Sequence, residues 1–323
     1  MFQNCVGTLA NAKALGKVDE ASYPPGMPTI TSLLRESARL LKPRRNEPLA
    51  TRLARELASF VLRKPVSWLI AHDQELFPAR ALRSYRVREK RLAQGEPLPY
   101  LTGSAPFLGR SFFVTRSTLI PRVETEELVE HVLTSWPKHE RDTLAIDIGT
   151  GSGCIAISLA CARDPRFVIA SDVSKRALSV ARKNANALLG TRSRNLVLLH
   201  ESLLGPKLLR AIKTRKPTYL LICANLPYLP TEEESALAKT STRFEPRRAL
   251  FSGQTGTVLI EKLLFQIGKL ATSNSQLRID VWFEFHPTNK ARLELFLHTH
   301  AAELPATFLK DQFGRWRFLH LHI

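Results

Sequence analysis

Hydrophobic and polar positions change rhythm along the chain, and each change predicts a different architecture. Between residues 31 and 93 the apolar residues recur at helical spacing. Leu33, Leu34, Leu40 and Leu41 form one set, and after Pro48 come Leu53, Leu57, Phe60, Val61 and Leu62. Lys64-Pro65 interrupts the pattern, and residues 67–72 and 78–92 predict two more short helices. Pro24, Pro25, Gly26 and Pro28 mark a break ahead of the first helix. Over residues 96–121 the periodicity is cut by Pro97, Pro99, Gly103, Pro106 and Gly109. There Phe112-Phe113-Val114 and Leu119-Ile120 predict the strands of a hairpin.

From Val123 onward the helical and strand periods alternate. Helices are predicted over 124–133, 154–162, 175–189, 257–270 and 289–299. Strands are predicted over 144–148, 167–172, 196–200, 219–223 and 277–285, with two more flanking Phe313-Gly314. Such alternation predicts a mainly parallel, doubly wound α/β sheet. The final connection is too short for a crossover, so the last strand is expected to run antiparallel. Seven strands closed by an antiparallel hairpin is the arrangement of the class I methyltransferases. The predicted plan is a targeting or flexible segment at 1–30, a helical domain at 31–94, a hairpin connector at 95–122 and the α/β domain at 123–323.

Composition narrows the classes further. With 323 residues, 44% of them hydrophobic, the chain can bury a substantial core. No apolar run approaches the ~18–20 residues that span a bilayer, so no membrane partner is expected. Cys5, Cys154, Cys161 and Cys223 form no C-x-x-C pair, which argues against a disulfide scaffold and a cysteine zinc site; no metal is expected. There are 47 basic and 29 acidic residues, a net charge of +18. That balance suits an acidic partner, an RNA-rich setting or a basic organelle. Residues 1–18 carry Lys13 and Lys17 and no acid, as a mitochondrial presequence requires, although arginine is missing. The expected location is therefore the mitochondrial matrix, with the cytoplasm as the alternative. The helical segment is rich in arginine (Arg35, Arg39, Arg44, Arg45, Arg80, Arg83, Arg86, Arg88), which suits either a docking face or a solvated one. Nothing calls for an obligate dimer, so a monomer is expected.

Two motifs carry chemistry. Asp147-Ile148-Gly149-Thr150-Gly151-Ser152-Gly153 leaves a strand and enters a helix. Glycines there let the backbone pass close under a ligand, and a helix start offers free N–H groups. No Gly-Lys-Ser/Thr follows, which excludes a Walker A loop, and the G-x-G-x-G spacing is not that of a dinucleotide loop. The spacing resembles the loop that holds the methionine part of S-adenosylmethionine. Asp172 ends the next strand, where a carboxylate can accept both ribose hydroxyls or, alternatively, cap the following helix. The second motif is Asn225-Leu226-Pro227-Tyr228, placed after the fourth strand, where ligands of open sheets bind. The Asn225 side-chain carbonyl and the Leu226 backbone carbonyl can each accept one N–H of a planar nitrogen and aim it at a methyl group. Tyr228 can stack on the planar group and Pro227 stiffens the turn. Candidate catalytic residues are Asn225, Leu226, Pro227 and Tyr228. Candidate cofactor-binding residues are Gly149, Thr150, Gly151, Ser152, Gly153, Asp172 and Asn225.

At these residues the chain resembles the HemK (PrmC) family of protein-(glutamine-N5) methyltransferases. The resemblance spans about residues 95–318. It runs through Gly95-Glu96-Pro97, Tyr100-Leu101-Thr102-Gly103, Phe107-Leu108-Gly109-Arg110 and Leu119-Ile120-Pro121-Arg122-Val123-Glu124-Thr125-Glu126. It continues through the two motifs above, Phe244-Glu245-Pro246-Arg247 and Asp311-Gln312-Phe313-Gly314-Arg315. The resemblance implies transfer of a methyl from S-adenosylmethionine to the glutamine amide of a Gly-Gly-Gln loop in a peptide chain release factor. It also implies that residues 121–126 lie near the cofactor, with Glu124 or Thr125 in contact.

Three departures stand out. Leu226 replaces the first proline of the family's Asn-Pro-Pro-Tyr, and Asn-Leu-Pro-Tyr also resembles the motif of RNA adenine-N6 methyltransferases. That keeps methylation of RNA or DNA as the alternative, with direct nucleic-acid binding less favoured than a protein substrate. The acidic residue usual after the third strand is absent, with Ser202 and Leu203 in that region. Glu284-Phe285-His286 stands where the family has Glu-Ile-Gly.

Overall fold

A computed structural model describes residues 26–137, 142–163, 167–238, 240–274 and 276–323. The expected presequence at 1–18 lies outside the described residues. The chain divides into two compact units, Met1–Gly103 and Ser104–Ile323.

The first unit contains α1 (Ile30–Leu41), α2 (Glu47–Leu62), α3 (Val66–Ala71), α4 (Ala79–Ala93) and α5 (Leu98–Thr102). Local chemistry sets their ends. Thr29 accepts the Ser32 N–H at 3.2 Å, and Asn46 accepts the Leu49 N–H at 3.0 Å with Pro48 in the first turn. Their apolar faces converge on Leu33, Leu57, Phe77, Tyr85 and Leu92, all buried. A polar pin crosses this core. Tyr85 O–H donates to Ser37 at 2.8 Å, Ser37 bonds the buried Glu89 carboxylate, and Arg86 pairs with Glu89 at 3.0 Å. Arg45 and Arg88 donate to the carbonyls of Leu92 and Leu101 at 3.2 and 3.3 Å. At least three of the eight arginines singled out are thus committed to their own fold.

The second unit opens with the hairpin β1 (Ser104–Phe107) and β2 (Arg110–Phe113). Leu108 and Gly109 form its two-residue turn with φ of 46° and 70°, as the twist of a tight hairpin demands. Two expectations are corrected here. The hairpin belongs to the larger unit, and residues 95–103 end the smaller one as α5. Leu119-Ile120 forms no strand; the Ile120 N–H goes to the Glu245 carboxylate at 3.2 Å instead of to a ladder.

The main sheet contains β3 (Thr143–Ile148), β4 (Phe167–Asp172), β5 (Leu196–His200), β6 (Tyr219–Ala224), β7 (Arg278–Glu284), β8 (Ala306–Lys310) and β9 (Trp316–His322). Their order is β5-β4-β3-β6-β7-β9-β8, with β9 antiparallel to both neighbours. This is the class I methyltransferase fold. α6 (Val123–Ser135), α7 (Cys154–Arg163) and α8 (Lys175–Leu189) cover one face, packing on Ala145, Leu221 and Cys223. α9 (Pro206–Arg215), α11 (Val258–Thr272) and α12 (Lys290–His300) cover the other, on Ile146, Leu220 and Ile222. The short α10 (Glu234–Leu237) lies in the loop after β6. Alternate residues of the central strands serve opposite faces, so both faces are apolar and the strands read as unbroken hydrophobic runs. Helix α9 is absent from the sequence expectation, because its lysines and arginines mask an apolar stripe reduced to Leu208 and Ile212. Among the described residues no helix is long and apolar enough to cross a membrane.

Candidate active site

The carboxyl ends of β3, β4, β5 and β6 open onto one cavity of about 1060 Å³. Gly149, Thr150, Gly151, Ser152, Asp172, Asn225, Leu226 and Pro227 line it; Gly153 and Tyr228 do not.

Backbone conformation shapes the loop after β3. Gly149, Gly151 and Gly153 have φ of 77°, 56° and 84°, a region that side-chain-bearing residues avoid. The Gly149 and Thr150 N–H groups both donate to the Ser171 carbonyl at 2.9 Å. A Cβ on Gly153 would stand 3.0 Å from Ile157 and 3.2 Å from Ala181, so Gly153 lets α7 and α8 approach rather than facing the cavity. Asp147 underlies the loop. Its Oδ2 accepts the Thr150 hydroxyl at 2.6 Å and the Ala156 N–H at 3.1 Å. Its Oδ1 has no hydrogen-bond partner among the described residues, and burial pushes its pKa up to about 7. Burial likewise pushes the cavity-lining Cys154 up to about 12, so it stands there as a neutral thiol. Asn184 on α8 is a tie with no signal in the motifs. It exchanges hydrogen bonds with the Phe113 backbone at 2.7 and 2.9 Å and donates to the Ser152 carbonyl at 2.8 Å.

Asp172 faces the cavity with its carboxylate braced by the chain. Gly151 N–H donates to Oδ2 at 3.0 Å and Ser174 N–H to Oδ1 at 2.7 Å. Burial raises its pKa, against those hydrogen bonds and the charges of Arg248 and His200. The cap of α8 is Ser174, whose side chain accepts the Ala177 N–H, so helix capping is not what Asp172 does. The region after β5 also differs from expectation. An acid is present there, Glu201, but its carboxylate turns to the start of α9 and accepts the N–H groups of Lys207 and Leu208 at 3.0 and 2.8 Å. Gly205 makes room: a Cβ there would lie 2.5 Å from the Glu201 side chain.

The turn after β6 is held by side chains from distant elements. Asn225 Nδ2 donates to Thr125 Oγ1 at 2.9 Å and to Glu284 Oε2 at 3.0 Å. The Thr125 hydroxyl donates to the same Oε2 at 2.7 Å, and the Tyr228 hydroxyl to Oε1 at 3.2 Å. Burial raises the pKa of Glu284, opposed by its hydrogen bonds and the charge of Arg317. Asn289 donates to the Tyr228 carbonyl at 2.8 Å, and Gly256 passes so close to that carbonyl that a Cβ would stand at 2.4 Å. Leu226 is buried in the core, and its side chain packs 3.1 Å from where a Cβ of Gly149 would be. The glycine loop and the Asn225 turn therefore brace each other.

Residues 121–126 divide their tasks. Thr125 joins the Asn225 network, whereas Glu126 accepts the Leu108 N–H of the hairpin at 2.9 Å. Glu124 does not line the cavity; it faces Arg315 at 3.5 Å. Arg122 pairs with the buried Glu245 at 2.5 Å, which joins this segment to residues 244–247. Both segments border the cavity through Arg122 and Pro246. Asn184 and Asn289 are site residues that motif reading misses; Glu245 and Glu284 stand in segments it names but gives no role.

Known proteins are similar to this chain over most of its length. A family profile described as the PrmC N-terminal domain matches residues 32–103. The chain is 35% identical over 218 residues to the release factor glutamine methyltransferase of Enterococcus faecalis, covering 67% of this chain and 73% of that protein. It is 31% identical over 261 residues to the protein of that name in Mycoplasma mycoides, covering 80% and 88%. Among solved structures it is similar to the hMettl16 catalytic domain solved with a MAT2A 3'UTR hairpin, at 16% identity and a TM-score of 0.47 over 75% of this chain and 80% of that one.

Proposed function

The chain belongs to the release factor glutamine methyltransferase family, and on that premise we propose that it moves a methyl group from S-adenosylmethionine to the side-chain amide nitrogen of the glutamine in a Gly-Gly-Gln loop of a peptide chain release factor. One observation carries this reading: the glycine loop and the Asn225-Leu226-Pro227 turn line a single cavity, so a cofactor and an amide can meet there.

The residues suit the cofactor. Gly149 and Gly151 offer backbone without side chains to the cavity, and Asp172 offers a carboxylate toward ribose hydroxyls. The unpartnered Asp147 Oδ1 is a buried acceptor close beneath the loop. When bound, S-adenosylmethionine would supply a methyl group on a positively charged sulfur, which keeps the bonding pair and leaves as a neutral thioether while the amide nitrogen sheds one proton to solvent. The chain's own residues hold and aim the acceptor. An amide nitrogen is a weak nucleophile because its lone pair is delocalised. The Asn225 Oδ1 and the Leu226 carbonyl each accept one N–H, which fixes the nitrogen and favours its pyramidal form without an ionised base. The Leu226 side chain meanwhile supports the glycine loop, so a leucine keeps the carbonyl that a proline would have given.

A second reading, adenine-N6 methylation of RNA or DNA, is favoured by Asn-Leu-Pro-Tyr and by exposed Lys175, Arg176 and Arg248 on the cavity rim. Parallel assays with labelled S-adenosylmethionine separate the two. Label in the release factor, lost with Asn225→Ala, is expected; label only in an adenine-containing RNA would put the second reading first. We also propose that the chain works in the mitochondrial matrix, on the support of its +18 charge and the acid-free residues 1–18. A fluorescent fusion of the full chain should co-localise with a matrix marker; cytoplasmic fluorescence would refute this.

A further inference from the structure

We propose that Glu284, acting with Thr125, is a positioning residue that sets which end of the Asn225 side chain faces the substrate, and so makes the site select hydrogen-bond donors. The inference rests on the amide-methylating reading and deepens it.

The argument is a count of donors and acceptors. An asparagine side chain carries two N–H donors on Nδ2 and one acceptor oxygen. Both donors are taken, at 2.9 Å by Thr125 Oγ1 and at 3.0 Å by Glu284 Oε2. As a carboxylate, the form that the hydrogen bonds from Thr125 and Tyr228 and the charge of Arg317 favour against burial, Glu284 has no hydrogen to give. The single hydroxyl proton of Thr125 is already donated to Oε2 at 2.7 Å, so toward Asn225 its oxygen can only accept. Turning the carboxamide over would set Oδ1 against a carboxylate oxygen and a hydroxyl lone pair, both repulsive, in a place where Thr125 and Glu284 are buried. The orientation is therefore dictated by the partners. No hydrogen bond to Asn225 Oδ1 is made among the described residues, and Asn225 lines the cavity. What the turn presents there is an acceptor. A primary amide or an exocyclic amine satisfies it; a carboxylate or an ester oxygen does not.

The same carboxylate controls the far end of the turn. Its Oε1 accepts the Tyr228 hydroxyl at 3.2 Å, so one buried group from the end of β7 grips residues 225 and 228 together. Strands β6 and β7 pair in parallel with Ala224 opposite Phe283, which brings Glu284 beside Asn225 at the carboxyl ends of the strands. Thr125 enters from the first turn of α6, which gives residues 121–126 a role in aiming the acceptor.

The test uses the full chain with Glu284→Gln, Thr125→Val, Asn225→Ala and the Glu284→Gln/Asn225→Ala double variant. A glutamine at 284 puts hydrogens where acceptors are needed and releases the carboxamide to turn. We expect kcat to fall on the order of 10²-fold, as when one oriented hydrogen-bonding group is removed from an active site. The dissociation constant for S-adenosylmethionine should stay within about threefold, which a general loss of structure would not allow. On the Asn225→Ala background, Glu284→Gln should cost nothing more, because no carboxamide is left to orient. Thr125→Val, which keeps shape and removes one acceptor, should fall between wild type and Glu284→Gln, and it carries the test if Glu284→Gln does not fold. Wild-type turnover in Glu284→Gln, an equal loss on both backgrounds, or a matching loss of cofactor affinity would each overturn the proposal. If wild type methylates an RNA adenine and no release factor, the substrate reading falls. The same pattern is then expected on the adenine amine, also an N–H donor, and its absence there would overturn the role of Glu284.

Discussion

The two loops that meet in the cavity leave neighbouring strands, yet they are fixed by opposite means. The loop after β3 is held chiefly through its backbone: three glycines at positive φ, two N–H groups on the Ser171 carbonyl, the Gly151 N–H on Asp172 and the Ser152 carbonyl on Asn184. The turn after β6 is held by groups that lie far away in sequence, with Thr125, Glu284 and Asn289 reaching it from 100, 59 and 61 residues off. The contrast suggests a division of labour. A loop that cradles a cofactor needs close backbone approach, which local glycine chemistry supplies. A turn that aims a substrate needs one side chain in one orientation, which only surrounding partners can impose.

The division can be broken most sharply at Asn225. Asn225→Ala should lower turnover roughly 10²–10³-fold, by analogy with loss of one oxyanion donor, while cofactor affinity measured by calorimetry changes little. A comparable change in both would mean that the two loops do not act separately. Next comes Gly153→Ala. Strain at φ 84° and contact with Ile157 and Ala181 should cost about 2–4 kcal/mol of stability in denaturant titration, with weaker cofactor binding. Asp172→Ala should weaken cofactor binding by about 1–3 kcal/mol, the worth of a charged hydrogen bond, with turnover at saturating cofactor little altered. An unchanged affinity would remove Asp172 from the cofactor site.

The last test is a slope with pH. Asp147 has a pKa near 7 in the fold against an ordinary 3.8, so the folded state holds this proton more tightly than the unfolded chain does. Its contribution is complete below about pH 4 and is lost as pH rises through 7, by at most about 1.4 kcal/mol per pH unit. The stability of wild type relative to Asp147→Asn should therefore decline over that range. A flat difference would show that Asp147 is ionised beneath the loop.

The same contrast explains what the sequence reveals. Strand–helix alternation made the sheet legible, and the glycine loop and Asn225 turn stood out because their chemistry is contiguous. Helix α9 stayed hidden because its polar residues outnumber the two that reach the core. Glu284 and Asn289 had no visible task, since each acts on a turn some sixty residues away and only strand pairing brings them to it. Glu201 went unread for a similar reason: its partners are the N–H groups of a helix that was itself missed. Leu119-Ile120 read as a strand because two adjacent apolar residues fit one, but Glu245, 125 residues away, takes the backbone donor a ladder would need.

The most direct measurement is tandem mass spectrometry of a release factor incubated with the wild-type chain and S-adenosylmethionine. The account predicts one added methyl on the side-chain amide of the glutamine in the Gly-Gly-Gln peptide, with roughly 10²–10³-fold slower methylation by Asn225→Ala. A methyl on any other residue, or an unmodified peptide beside methylated RNA, would contradict it.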